Sequence, residues 1–145
     1  MEQIIFGALI KKLNNSLQRY SEREARKIGI TQTQMSIIDF LYRNERQREI
    51  YQTNVEREFN IQKSSATALL KLMEKKGLIV RSPSKKDSRY KFILLTTKSR
   101  QLADHISAFY QANNDELQRV LGDNTERFVD DLSKLQKYMD EQLKV

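Results

Sequence analysis

The spacing of apolar residues predicts a chain built mainly of α-helices. From Glu2 to about Arg26, apolar residues recur at steps of three and four, which predicts one amphipathic helix of roughly seven turns. Thr31 and Gln34 have the spacing of a capping box, so a second helix is expected to begin there. The polar stretch from Arg43 to Glu49 is expected to form a loop or a fraying helix end. The inward positions of the second helix are Met35, Ile38 and Leu41.

Two further helices follow at close spacing. A short helix is predicted over residues 53–59, with Val55 and Phe59 buried, and a turn at residues 60–62 leads into a fourth helix that runs to Lys76. Gly77 stands where a C-terminal cap requires a positive φ. The inner stripe of the fourth helix is predicted to be Ala66, Leu69, Leu70 and Met73.

A β-hairpin and two more helices complete the predicted fold. Short strands over residues 78–80 and 92–95 flank a polar loop that contains a proline, residues 81–89. Thr96 is expected to cap a helix that runs to about Leu121, and a last helix follows the turn at residues 122–124. Candidate inner residues of these two helices are Leu102, Ile106, Phe109, Leu117, Phe128, Leu132, Leu135, Met139 and Leu143.

The order helix, helix, strand, loop, strand is that of a winged helix-turn-helix. The predicted fold class is therefore mainly α with a small β-wing, in a single domain over residues 1–145. The winged helix-turn-helix occupies about residues 31–95. The segments over about residues 1–28 and 97–145 carry more apolar surface than one small winged helix can bury, so they are interpreted as dimerisation helices. Packing into a larger monomeric core is the alternative.

Charge is distributed unevenly along the chain. The net charge is +7, from 26 basic and 19 acidic residues. Residues 43–98 carry 14 basic and 6 acidic side chains, a net +8, whereas residues 99–145 carry 6 and 9, a net −3. A polyanion is the natural partner of such a basic middle segment, although a solvated surface would give the same composition.

Composition excludes several classes of protein. The chain has no cysteine, which removes disulfides, thiolate metal sites and thiol redox switches. The apolar run near the start is too short to span a bilayer and lacks the features of a signal peptide, so a cytoplasmic protein that does not contact a membrane is expected. The single histidine, His105, has no partner at metal-ligand spacing, and no phosphate loop or nucleophile elbow is present. We therefore expect no enzyme activity, no catalytic residue, no metal site and no cofactor.

Two groups of polar residues are the candidate DNA-binding residues. The outward positions of the fourth helix suit the major groove, where Gln, Ser and Thr hydrogen-bond to base edges and Lys neutralises phosphates. In the hairpin loop, an arginine at the tip suits a narrow minor groove, and Asp87 is expected to hold the Arg89 guanidinium. For both groups the alternative is an ordinary solvated surface, with Asp87 and Arg89 forming only a weak exposed ion pair. The candidates in the helix are Gln62, Lys63, Ser64, Ser65, Thr67 and Lys71, and those in the wing are Ser84, Lys85, Lys86, Asp87, Ser88 and Arg89.

Three short segments resemble the signature of the multiple-antibiotic-resistance regulator (MarR) family: Gly77 to Arg81, Asp87-Ser88-Arg89 and Leu94-Leu95-Thr96. Ser99 departs from the pattern, since members often carry glycine early in the following helix. The resemblance implies an obligate homodimer, palindromic operators in duplex DNA and, usually, repression of neighbouring genes. It also implies release from DNA by a small aromatic or phenolic effector in many members. The family's effector pocket has no motif, so no pocket residue is predicted.

A second function remains open at this point. A winged helix also serves as a protein-interaction adaptor that binds no operator. The basic wing argues against this alternative, and retention on heparin followed by a gel shift with the protein's own promoter would separate the two.

Overall fold

The computed structural model describes residues 3–144 and contains six α-helices and two β-strands within that range. The helices are α1 (Phe6–Lys27), α2 (Gln32–Asn44), α3 (Gln52–Phe59), α4 (Lys63–Lys75), α5 (Thr97–Leu121) and α6 (Thr125–Gln142). The strands are β1 (Ile79–Pro83) and β2 (Lys91–Leu95), and a short 3-10 helix over Gly122–Asn124 precedes α6. The chain forms two compact units, one that ends at Ser107 and one that begins at Ala108.

Helix α1 is shorter than the sequence predicted. The predicted start, Glu2, lies outside the described residues, and the helix begins at Phe6, after Ile5 in an extended conformation (φ −117°, ψ 100°). The apolar spacing continues through Ile5, but spacing alone carries no start signal. At the start of α2, the predicted capping box is confirmed. The Gln34 backbone N–H donates to the Thr31 hydroxyl at 3.1 Å, and the Thr31 N–H donates to the Gln34 side chain at 3.0 Å.

The core of the first unit lies between α2, α4, the hairpin and the start of α5. Met35, Ile38 and Leu41 are fully buried, as predicted, and so are Leu70 and Ile93. Three predicted core residues are only half-buried, Phe59, Leu69 and Leu102. Phe59 packs edge-on against Phe40, with ring centroids 5.8 Å apart, so it closes the rim of the core.

The junction between α3 and α4 is a tight turn of the kind that a helix-turn-helix requires. Asn60 caps α3 in the left-handed region (φ 51°), and the Ile61 N–H returns to the Glu56 carbonyl at 3.0 Å. At the end of α4, Gly77 has a φ of +73°, which confirms the predicted glycine cap. These two left-handed residues fix where α4 begins and ends.

The hairpin has longer strands than predicted. Pairing is antiparallel from Ile79 opposite Leu95 to Pro83 opposite Lys91, so residues 81–83 belong to β1 and not to the loop. Pro83 is tolerated because both strands of a two-stranded ribbon are edge strands, and the last pair has no need of its missing N–H. The loop is therefore Ser84–Tyr90, called the wing loop below, and it is closed by the Ser84 N–H donating to the Tyr90 carbonyl at 2.8 Å.

The predicted cap of α5 is confirmed. The Ser99 N–H donates to the Thr96 hydroxyl at 3.2 Å, and the Thr96 N–H donates to the Ser99 hydroxyl at 3.0 Å. Ser99 is fully buried, so the residue that departs from the family pattern acts here as half of a capping pair. The Thr96 hydroxyl also donates to the Gly77 carbonyl at 2.7 Å, which joins the chain two residues before β1 to the residue after β2.

The second unit leaves its apolar residues uncovered within one chain. On α6 and just after it, the predicted apolar stripe is 38% to 69% exposed. Leu117 on α5 is 39% exposed, and Phe109 is half-buried with its ring edge-on to Tyr110. The exposed stripe consists of Phe128, Leu132, Leu135, Met139 and Leu143.

Candidate nucleic-acid interface

Helix α4 presents a polar surface over its first two turns. Gln62 is the N-cap and is exposed, and the residues that follow it on this surface are exposed as well. The side chains near the helix start are short, so a DNA base could approach the backbone closely. The exposed candidates on this surface are Gln62, Lys63, Ser64, Ser65 and Lys71.

Thr67, the remaining predicted residue of this surface, is half-buried and already engaged. The Gln52 side chain donates from Nε2 to the Thr67 hydroxyl at 2.8 Å and also reaches the Lys63 carbonyl at 3.4 Å. Gln52 is the first residue of α3, so this contact ties the start of α3 to the first turns of α4. Thr67 therefore retains only part of its hydrogen-bonding capacity for a ligand.

Two apolar residues on the exposed surface of α4 were not among the predicted ones. Ala68 is exposed, and Leu72 is 45% exposed. A small apolar side chain in the major groove contacts the methyl group of thymine, which is a form of base recognition. The sequence analysis selected only polar positions and therefore missed both residues.

The expected pairing of Asp87 and Arg89 is confirmed. The guanidinium is bidentate, with Arg89 Nη2 2.8 Å and Nε 3.2 Å from Asp87 Oδ2, and Nε also 3.1 Å from Oδ1. The backbone N–H of Arg89 donates to Oδ1 at 3.1 Å. The hydrogen bonds from the Arg89 side chain and then from its backbone lower the pKa of Asp87 below its ordinary value. The Arg89 side chain is 83% exposed, so the pair fixes the direction of a guanidinium that stays accessible.

Ser84 was predicted to contact DNA from the wing, and the structure corrects this prediction. It is buried, with 5% of its surface exposed, because its side chain turns toward the body of the first unit. Its hydroxyl donates to Glu49 Oε2 at 2.7 Å and lies 2.9 Å from the Tyr51 hydroxyl, and the Lys86 N–H donates to it at 3.2 Å. Ser84 therefore belongs to the base of the wing. The other wing candidates, Lys85, Lys86, Ser88 and Arg89, are exposed.

Glu49 is the acceptor at the centre of that contact. Its Oε2 accepts from the Tyr51 and Ser84 hydroxyls, and its Oε1 accepts from the Lys85 backbone N–H at 3.3 Å. The hydrogen bonds from Tyr51 and Ser84 lower the pKa of Glu49, which keeps it ionised. The sequence analysis missed this residue because its partners in the wing loop, Ser84 and Lys85, lie 35 and 36 residues further along the chain.

Within residues 3–144, no group of three or more His, Cys, Asp or Glu side chains could hold a metal ion. His105 is exposed on α5, with Nε2 2.7 Å from Glu24 Oε1. None of the helices over the described residues is long and apolar enough to cross a membrane.

The chain matches a known protein family in both sequence and structure. Residues 28–89 match the model of the MarR family. The chain is similar to the transcription regulator MarR from Oenococcus oeni PSU-1, with 38% identity over 94% of this chain and 99% of that one, and a TM-score of 0.85. No curated protein matches the chain.

Two more distant structures share the fold. The S. aureus MepR–DNA complex is 19% identical, with a TM-score of 0.85 over 93% of this chain and 96% of that one. The transcriptional regulator SlyA is 19% identical, with a TM-score of 0.83 over 96% of each chain. These matches confirm the predicted fold class, mainly helical with a small two-stranded wing.

Proposed function

The chain belongs to the MarR family of transcription regulators, and we propose that it binds specific sequences in duplex DNA as a homodimer and represses transcription. The observation that carries the proposal is the composition of one surface region of the first unit. The exposed polar start of α4 and a wing with an oriented arginine at its tip are both available on that unit. One element suits the major groove and the other suits the minor groove.

The proposed contacts divide by side-chain chemistry. Base edges are contacted by the amide of Gln62, which can form two hydrogen bonds, and by the short hydroxyl side chains of Ser64 and Ser65. Ala68 contacts a thymine methyl. Lys63, Lys71, Lys85 and Lys86 are flexible point charges that neutralise phosphates. Arg89 enters the minor groove while Asp87 orients it, and Thr67 and Ser88 complete the two contact regions. Ser84 is left out of the direct contacts because it is buried.

The proposed dimer uses the helices at both ends of the chain. From Ile4 to Leu13, the exposed fractions of the large apolar side chains lie between 50% and 68%, and the stripe on α6 is exposed as well. Exposed apolar stripes of this kind, one on each unit, are typical of an interface between subunits. A two-fold dimer implies a palindromic operator, with half-sites about ten base pairs apart. The exposed apolar residues of the first segment are Ile4, Ile5, Phe6, Leu9, Ile10 and Leu13.

Regulation by a small aromatic or phenolic effector, with release of the operator, is part of the proposal and is supported by family membership alone. The proposed location is the cytoplasm, and no catalytic activity is proposed. The relatives with solved structures are described as transcription regulators.

The test is a binding-site selection from randomised duplex DNA, followed by titrations of the selected duplex at several salt concentrations. We expect a palindromic site and a steep loss of affinity with salt. Lys63→Ala should reduce the salt slope by about one unit for each DNA-bound subunit without changing the preferred bases. Lys137→Ala, which removes the same charge from α6, is the matched control and should leave the slope unchanged. Ser65→Ala should change the preferred base at one position of each half-site.

Failure to select any duplex at low salt would overturn the proposal and favour the protein-interaction adaptor. Lysine variants that altered base preference, together with serine variants that altered only the salt slope, would show that the contact roles are reversed.

A further inference from the structure

Four consecutive residues, 49–52, which end with the first residue of α3, connect the wing to the recognition helix α4. Glu49 accepts hydrogen bonds from the base of the wing loop, and the Ile50 carbonyl accepts from the Ile93 N–H of β2 at 2.7 Å. Tyr51 shares the Glu49 and Ser84 contact, and Gln52 bonds to Thr67 on α4. Residues 49–52 therefore contact each of the elements that are proposed to contact DNA.

The hydrogen bonds between the base of the wing loop and the rest of the first unit go to Glu49 and Tyr51, which precede α3, and within residues 3–144 none joins the loop to α3 itself. A cleft of about 430 Å³ lies between them, lined by Tyr51, Gln52 and Thr53 on one side and by Lys86, Asp87 and Tyr90 on the other. Where a cleft separates two elements, few apolar contacts remain to resist a change in their separation. The position of the wing loop then depends on the few polar contacts at its base.

Glu49 is the shared acceptor of those contacts. One carboxylate binds two hydroxyls and the Lys85 backbone N–H, which is three of the roughly four acceptor sites of an ionised carboxylate. The Lys86 N–H joins the same group through the Ser84 hydroxyl. Removing the carboxylate therefore releases the first two residues of the wing loop together.

We propose that Glu49 is a positioning residue for DNA binding, which holds the wing loop at the distance from α4 that lets Arg89 and the recognition helix engage neighbouring grooves at the same time. This inference rests on the proposed function, because Glu49 itself touches no DNA in it. The change in DNA affinity that it predicts for removal of Glu49 is opposite to the one that simple electrostatics predicts. Removing a negative charge near DNA should tighten binding, whereas loss of a positioning residue weakens it.

The DNA test uses the full-length protein and the duplex selected by the wild type. Glu49→Ala is expected to weaken binding about fivefold to tenfold, less than Arg89→Ala does. Glu49→Gln keeps an accepting oxygen for the two hydroxyls but places an amide donor opposite the Lys85 N–H, so it should restore only part of the lost affinity. Glu58→Ala is the matched control. Glu58 lies exposed on α3, with no hydrogen bond or ion pair within residues 3–144, and its removal should leave binding unchanged or tighter.

Combination with Arg89→Ala identifies the route of the effect. If Glu49 acts through the wing, adding Glu49→Ala to Arg89→Ala should weaken binding by less than about twofold further, because neighbouring changes on one route are not additive. Two losses that multiply in full would overturn the proposal. Binding by Glu49→Ala as tight as that of the wild type, while Arg89→Ala is impaired, would overturn it as well.

A measurement without DNA separates this inference from the proposed function. Amide hydrogen exchange at Lys85 and Lys86 should accelerate in Glu49→Ala and, to a smaller extent, in Tyr51→Phe, which removes one hydroxyl and retains the ring. Unchanged exchange at both amides would overturn the proposed tether even if the protein binds DNA. Accelerated exchange in a protein that selects no duplex would locate the failure in the proposed function.

Discussion

Replacing Arg89 with alanine should separate DNA binding from folding. The side chain is 83% exposed and its one partner, Asp87, is also at the surface, so little buried area is lost on truncation. Exposed ion pairs contribute little to stability, and we expect the melting temperature to change by about 2 °C or less. Thermal unfolding followed by circular dichroism measures this.

The expected effect on DNA binding is much larger. A guanidinium that is already held by a bidentate carboxylate loses little conformational freedom when it enters a groove. Loss of such a contact should raise the dissociation constant by about 5- to 150-fold for each wing, and at least that for a dimer that uses both wings. Titration of the selected duplex at fixed salt gives this number. Arg127→Ala on α6 removes one arginine from the second unit and should leave affinity unchanged.

Asp87→Ala tests the orienting role through two opposing effects. The substitution frees the guanidinium, which weakens binding, and it removes a negative charge, which strengthens binding. Because three contacts of 2.8–3.2 Å fix the Arg89 side chain, we expect the first effect to dominate and the net loss to be smaller than that of Arg89→Ala. Tighter binding by Asp87→Ala would refute this reasoning, and unchanged binding by Arg89→Ala would show that the wing makes no contact with DNA.

Three further results are expected. Gly77→Ala should destabilise the protein by about 1–2 kcal/mol in urea denaturation, because φ is +73° at this position. Gly7→Ala within α1 should be neutral or stabilising. Equal effects of the two substitutions would contradict the role of Gly77 as a helix cap. An NMR titration should give Asp87 a pKa below its ordinary value, and this pKa should rise in Arg89→Ala. Because the folded-state pKa is lowered, the ion pair contributes to stability at neutral pH, and this contribution is lost as the pH falls through the lowered pKa. Leu132→Asp on the exposed stripe of α6 should convert the dimer to a monomer in sedimentation at sub-micromolar concentration; a wild type that is already a folded monomer would contradict the proposed interface.

Local signals in the sequence predicted much of the fold. The capping box at Thr31 and Gln34, the glycine cap at Gly77 and the Thr96 cap all depend on residues within a few positions of one another. The pairing of Asp87 with Arg89 is equally local. Each of these features was predictable because chain geometry alone brings the groups together.

Contacts between distant residues were not predictable in this way. Gln52 reaches Thr67 across 15 positions, and Glu49 reaches Ser84 across 35. The polarity of Ser84 suggested a surface contact, but the fold turns its hydroxyl inward to a carboxylate. A polar residue in a loop has the same sequence signature whether it contacts solvent, DNA or another loop, so only the tertiary structure separates these roles.

Element ends were also imperfectly predicted. The apolar spacing placed the start of α1 four residues early, and the polar, proline-containing stretch from Arg81 placed the end of β1 too soon. Spacing reports which side chains share a face, and a proline reports only a missing donor. Neither one measures how far the backbone hydrogen bonds continue.

The bond from the Thr96 hydroxyl to the Gly77 carbonyl closes the hairpin at its foot, so the chain enters and leaves the wing at one fixed point. A loop with fixed ends changes in length at little entropic cost, which grows only slowly with the number of residues. We therefore expect residues inserted between Lys86 and Asp87 to leave the melting temperature nearly unchanged while they alter the reach of Arg89 along DNA. Stability of the fold therefore places little constraint on the length of the wing tip, and the reach of Arg89 can change without repacking of the core. A large fall in melting temperature on such an insertion would show that the hydrogen bond between Thr96 and Gly77 does not protect the rest of the fold from changes in the wing loop.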